Sequence, residues 1–92
     1  MGVGSYRIEV LPSARKALEA IARPDRHRIE AKIAALAATP RPPAVEKLSG
    51  AETLYRVRSG DYRIVYEIRD EVLVILVVRI AHRRDVYRKL RS

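Results

Sequence analysis

Arginines recur in this chain at spacings that can bring them together. Arg56 and Arg58 lie two residues apart, and Arg63 follows a turn signal at Ser59-Gly60. Alternate residues of a strand share a face, so Arg56 and Arg58 point one way and Tyr55 and Val57 the other. In the next apolar run Tyr62, Ile64, Tyr66 and Ile68 share a face, which leaves Arg63, Val65, Glu67 and Arg69 opposite. A two-residue turn at Ser59-Gly60 predicts Tyr55 against Ile64, Val57 against Tyr62 and Arg56 against Arg63, with Arg58 facing Asp61. Like charges directly opposite cost a few tenths of a kcal/mol to about 1 kcal/mol, and folding has no use for them. Guanidinium forks match phosphate oxygens in bidentate pairs, so converging arginines point to phosphate chemistry. The plain alternative is a solvated face whose arginines keep the sheet soluble and blunt its edge.

A second basic stretch strengthens the first. Arg79-Ile80-Ala81-His82-Arg83-Arg84-Asp85-Val86-Tyr87-Arg88-Lys89-Leu90-Arg91 begins where the last strand ends, beside the strand carrying Arg63. With the strand arginines it makes one basic surface, as expected of a nucleic-acid binder. Inside that surface His82 and Tyr87 are the groups able to carry protons, although either can equally be an ordinary structural aromatic. Glu67, on the face of Arg63, is a base or that arginine's neutralising neighbour.

The remainder of the chain has to position these groups. Ninety-two residues at a net charge of +8, 48% hydrophobic and 33% charged, describe one globular domain, residues 1–92, and not a disordered basic tail. With no Phe or Trp the core is aliphatic, and with no Cys and only His27 and His82 a thiolate or multi-histidine metal site is not expected. The N-terminus lacks the layout of a signal peptide and the apolar run Val72–Val78 is too short to span a bilayer, so a soluble cytoplasmic protein with no membrane partner is expected.

Residues 6–11 alternate as a short strand. Pro12-Ser13 opens a helix with Ala14, Ala17, Leu18 and Ile21 on one stripe, and Arg23-Pro24-Asp25 breaks it. A second helix carries Ile29, Ile33, Leu36 and Ala37 on one face and ends at Thr39-Pro40; the short connection predicts an antiparallel helical hairpin. Residues 40–50, with Pro40, Pro42 and Pro43, read as a stiff loop. Strands at Leu54–Arg58, Tyr62–Arg69 and Val72–Ala81 follow, the last two joined by a two-residue turn at Asp70-Glu71. The order β-α-α-β-β-β is an α+β domain: the hairpin packs on a mainly antiparallel four-stranded sheet, and a short basic C-terminal tail follows. Val72, Val74, Leu76, Val78 and Ile80 then share the face of Val65 and Arg63, away from the helices, and something must cover them.

This pattern resembles the RelE/ParE superfamily of bacterial toxins from type II toxin–antitoxin systems. The resemblance runs from Tyr6 to about Tyr87. Leu54-Tyr55-Arg56-Val57-Arg58, Gly60-Asp61-Tyr62-Arg63-Ile64-Val65-Tyr66 and Arg79 to Tyr87 carry it most specifically, with Glu46-Lys47-Leu48-Ser49-Gly50 and Ser13-Ala14-Arg15-Lys16-Ala17-Leu18 in support. It implies one of two activities on one fold: RelE-like members are endoribonucleases (mRNA interferases) that cut mRNA in the ribosomal 30S A site, and ParE-like members poison DNA gyrase. The RelE branch has basic residues at the positions of Arg56, Arg58 and Arg63 and basic and aromatic groups near Arg83 and Tyr87, all filled compatibly here.

The implied reaction is attack of a ribose 2′-OH on the adjacent phosphate, without metal or cofactor. Arg63 and Arg83 would stabilise charge, Arg56 and Arg58 would orient the backbone, and His82 or Tyr87 would protonate the leaving oxygen. Members with lysines in place of Arg56 and Arg58 can use one as a base, whereas arginine stays protonated. Lys47, Arg84, Arg88 and Lys89 would contact RNA or the ribosome. A cognate antitoxin, expected as an acidic amphipathic segment in a toxin–antitoxin hetero-oligomer, would lie on Val65, Val74, Leu76 and Val78. A gyrase inhibitor without nuclease activity, and an RNA-binding module that no longer cuts, are the alternatives.

Overall fold

The computed structural model describes residues 5–48, 50 and 53–85. Strand β1 (Arg7–Val10) leads into helices α1 (Pro12–Glu19) and α2 (Arg23–Leu36). Strands β2 (Glu46–Lys47), β3 (Leu54–Ser59), β4 (Tyr62–Arg69) and β5 (Val74–His82) follow. The sheet has five strands in the order β1-β5-β4-β3-β2, not four; β1 runs parallel to β5 and the other pairs are antiparallel. The extra strand is the two-residue β2, inside the proline-rich stretch expected as loop. Its Glu46 lies opposite Arg56, and an opposite-charge pair across the ladder helps hold so short a strand.

Both helices cover one face of the sheet. Ala14 and Leu18 of α1 and Ile29, Ile33 and Leu36 of α2 are buried on the expected stripes, with Ile21 partly buried between the helices. Arg23-Pro24-Asp25, expected as a break, instead forms the first turn of α2. Proline is at home there because a first-turn N–H has no helical acceptor, and Asp25 complements the helix dipole. The sheet answers with Tyr55, Val57, Ile64, Tyr66, Ile68, Ile75, Val77 and Ile80. Tyr66 is fully buried; its hydroxyl donates to Pro40 O at 2.7 Å, and burial pushes the phenol up to about 12.

Three features of register depart from the sequence reading. The β3–β4 turn is Gly60-Asp61, not Ser59-Gly60, so Tyr55 pairs with Tyr66, Val57 with Ile64, Arg56 with Val65 and Arg58 with Arg63. Both registers keep the same faces, so hydrophobic patterning does not choose between them. Turn chemistry does: a two-residue turn of the II′ kind needs its first central residue at positive φ, and Gly60 at φ 61° fills that place. The β4–β5 connection is longer than two residues. Arg69 pairs with Val74 across a 3₁₀ turn at Asp70–Val72, and Leu73 closes the loop in the left-handed region at φ 54°. Asp-Glu offers no glycine for a primed two-residue turn, and Val72 lies in the loop, exposed.

The third departure is a β-bulge. Val65 pairs with Arg79 and Tyr66 with Val77, which leaves Val78 without a partner. Beyond the bulge the faces exchange, so Ile80, expected on the open face, pairs with Ile64 in the core at 4% exposure.

A polar clamp ties the far end of the sheet together. Arg41 Nη2 donates to Asp70 Oδ2 at 2.9 Å and its Nε to the Tyr55 hydroxyl at 3.2 Å, while the Tyr6 hydroxyl donates to Asp70 Oδ1. The bonds from Arg41, and then from Tyr6, hold the Asp70 carboxyl below the usual carboxylate range. A lowered folded-state pKa stabilises above the unfolded pKa and is lost as pH falls through the folded one. Wild type is therefore expected to melt higher than Asp70→Asn at neutral pH, with the gap closing below about pH 4. A gap that persists unchanged in acid would refute the clamp.

Candidate nucleic-acid interface

On the side of the sheet away from the helices, β3 and β4 bring the guanidinium groups of Arg56, Arg58 and Arg63 to one cleft of about 210 Å³, which Ala44 and the β2 residue Glu46 also line. Each occupies its place for a different reason. The Arg56 side chain is only 16% exposed and bonds Glu46 Oε1 through Nε at 3.0 Å and Nη2 at 2.8 Å. Arg63, 9% exposed, turns back on the hairpin: its Nη1 donates to Gly60 O at 3.3 Å and Tyr62 O at 3.2 Å. Arg58 is exposed and stands directly opposite Arg63. The like-charge pair is thus Arg58–Arg63, not Arg56–Arg63. Two guanidinium groups beside one another, with Glu46 the single carboxylate on the wall among the described residues, leave the cleft with excess positive charge and several unused N–H donors.

The other candidates divide. Arg83 comes close: its N–H donates to Asp61 O at 2.8 Å, and its guanidinium lies 3.9 Å from the Asp61 carboxylate, which sets it beside the hairpin turn. Arg84 is exposed in the helical residues 83–85. His82 is not brought to the cleft. It pairs with Tyr62 on the helix-facing side, meets that ring edge-on at 5.4 Å, and its Nδ1 accepts the Arg84 N–H at 3.3 Å. Lys47 pairs with Tyr55 and so faces the helix side, whereas Glu46 faces the cleft. Tyr87, Arg88 and Lys89 lie outside the described residues. Of the apolar set, Val65 and Val74 are buried at 8% and 5%, while Leu76 and the bulge residue Val78 keep some exposed surface.

Two placements escaped the sequence reading. Glu46 was visible only as part of a motif, because its place in the cleft depends on the unforeseen β2. Arg79, opposite Val65, crosses the open face and donates from Nη2 to Asp85 O at 3.2 Å.

The fold and the basic cleft define a class that comparison with known proteins makes specific. The profile of the family described as ParE toxin of type II toxin-antitoxin system, parDE, matches residues 8–87, and the chain belongs to that family, within the RelE/ParE superfamily. Among solved structures it is similar to a chain of the archaeal RelE–RelB complex from Pyrococcus horikoshii OT3, at 30% identity over 86% of this chain and 96% of that one, with a TM-score of 0.77. The isolated E. coli RelE toxin is similar at 26% identity over 85% of this chain and 84% of that one, with a TM-score of 0.76. Toxin RelG of Mycobacterium tuberculosis is 40% identical over 35 residues, 38% of this chain and 40% of RelG, so the aligned part spans well under half of that relative.

Proposed function

We propose that the chain is the toxin of a toxin–antitoxin pair and acts as a ribosome-dependent endoribonuclease on mRNA in the A site. The observation that carries this reading is the cleft of Arg56, Arg58 and Arg63, built at the cost of a like-charge pair on adjacent strands. The resemblance to the isolated RelE toxin supports it.

In the reaction the 2′-oxygen bonds to the adjacent phosphorus, the P–O5′ bond breaks, and a 2′,3′-cyclic phosphate and a 5′-OH result. Charge grows on the phosphate oxygens, and Arg63, fixed by the turn carbonyls, meets it without reorganising. Arg56 and Arg58 hold the backbone in line, and Arg83 adds positive charge beside the hairpin turn. Arginine does not accept a proton at working pH, so among the described residues Glu46 is the one cleft-lining side chain able to take the 2′-OH proton. His82 faces away, which leaves protonation of the leaving 5′-oxygen to Tyr87 or to the ribosome. The antitoxin, by analogy with the RelE–RelB complexes, would meet the open face where Leu76 and Val78 remain accessible.

The family's description as ParE favours a second reading, a DNA gyrase inhibitor whose arginines contact gyrase or its DNA. Primer extension on mRNA after expression separates the two. Codon-spaced cuts are expected; intact transcripts together with gyrase-linked DNA breaks would overturn the ribonuclease reading.

A further inference from the structure

Arg58 lines two clefts. Besides the arginine cleft it borders a groove of about 520 Å³ between α2 and the β3–β4 turn, lined by Arg28, Ala31, Lys32, Ala35, Arg58, Ser59 and Gly60. The four α2 residues fall at i, i+3, i+4 and i+7, all exposed, on a stripe next to the buried one of Ile29, Ile33 and Leu36. The floor is small, from Ala31, Ala35 and Gly60, and the rim is cationic, from Arg28, Lys32 and Arg58. Among the described residues no acidic side chain lines the groove. Arg28 is partly neutralised by Asp25, 3.0 Å away, which leaves Lys32 and Arg58 as its stronger charges.

The two clefts differ in what an RNA strand would meet on leaving the first. One wall of the arginine cleft is Glu46, which repels a phosphate; at Arg58 the surface passes directly into a groove whose charged side chains, among the described residues, are all cationic. We propose that this groove is a second phosphate-binding subsite, through which single-stranded RNA held at the arginine cleft continues over the Gly60 turn onto α2. The inference rests on the ribonuclease reading of the first cleft. Small residues on the floor let the sugar–phosphate backbone approach closely, and Arg58 serves as the shared contact that keeps the strand in register between the two sites. Binding there is electrostatic and indifferent to sequence.

The test measures fluorescein-labelled poly(U) binding to purified full-length toxin across a salt series. Lys32→Gln and Ala35→Glu lie on the exposed helix face, and circular dichroism checks their fold. Lys32→Gln is expected to weaken binding about fivefold and to lower the slope of log affinity against log salt by about 0.7, the share of one phosphate on a single strand. Ala35→Glu, which fills the floor and adds a negative charge, is expected to weaken it further. Affinity and slope unchanged in both folded variants would overturn the subsite. So would variants that lose affinity for poly-glutamate while keeping it for poly(U), since the groove would then serve an acidic peptide. Wild-type protein that cleaves no mRNA yet shows the expected losses in poly(U) binding would sink the ribonuclease reading and leave the RNA path standing.

Discussion

Replacing Arg63 with glutamine is expected to slow single-turnover mRNA cleavage on programmed ribosomes at least ~100-fold, the usual scale for losing one preorganised donor to developing charge. On the proposed mechanism Arg63, and not its neighbours, should dominate. Arg63 is only 9% exposed and its Nη1 is held by the carbonyls of Gly60 and Tyr62, so on that mechanism it would meet the reacting phosphate without first being ordered. The stability effect has two opposing parts. Relief of the Arg58 repulsion returns up to roughly 1 kcal/mol, and loss of charged bonds to two turn carbonyls costs about 1.5–3 kcal/mol at good geometry, less at 3.2–3.3 Å. Arg63→Gln should therefore be slightly less stable than wild type, by about 1 kcal/mol. Arg58→Gln separates the two contributions. Arg58 is exposed and makes no side-chain hydrogen bond among the described residues, so its removal relieves repulsion alone. That variant should be as stable as wild type or more stable, and should cleave more slowly. Denaturant melts and single-turnover rates on the same preparations read both quantities. Full activity in a folded Arg63→Gln protein would remove Arg63 from the chemistry, and a clearly destabilised Arg58→Gln would remove the repulsion.

The elements and the arginine face were legible because each depends on a local, periodic signal. The stripes Ala14–Leu18 and Ile29–Ile33–Leu36 have helical spacing, and Arg56, Arg58 and Arg63 follow from strand alternation alone. Registers were not legible from periodicity, since a slip that preserves parity leaves every face unchanged. The position of Gly60 was the deciding signal, and it separates an Arg58–Arg63 conflict from an Arg56–Arg63 one. The two-residue β2 was hidden because it is too short to show alternation and lies among prolines. Glu46 therefore entered the cleft unannounced.

The bulge at Val78 accounts for two further departures together. Unbroken alternation along β5 places Ile80 and His82 on the arginine face and, by the same parity, puts Arg79 among Ile75 and Val77 beneath the helices. Burying an unpaired guanidinium there is far costlier than interrupting one ladder position. The misfit of Arg79 was thus the sequence-level sign that the strand must slip. The slip also moves His82 against Tyr62 and out of the cleft, which is why a histidine that looked catalytic by position packs as an aromatic partner.

Ile80→Ala tests that slip with a large effect. Ile80 is 4% exposed and pairs with Ile64, which is fully buried, so truncation leaves a cavity in the core. The expected cost is about 3 kcal/mol, within the usual range for isoleucine to alanine in a core, and a fall in the melting midpoint of roughly 10–20 °C for a domain of this size. Leu76 lies before the bulge on the opposite face, opposite Glu67 and partly exposed, so Leu76→Ala should cost about 1 kcal/mol. An unbroken strand predicts instead that the two residues share a face and that their truncations cost similar amounts. Thermal and denaturant melts of the two variants decide between these outcomes without any assay of function: equal losses would refute the bulge, and with it the placement of Arg79 on the open face and of His82 against Tyr62.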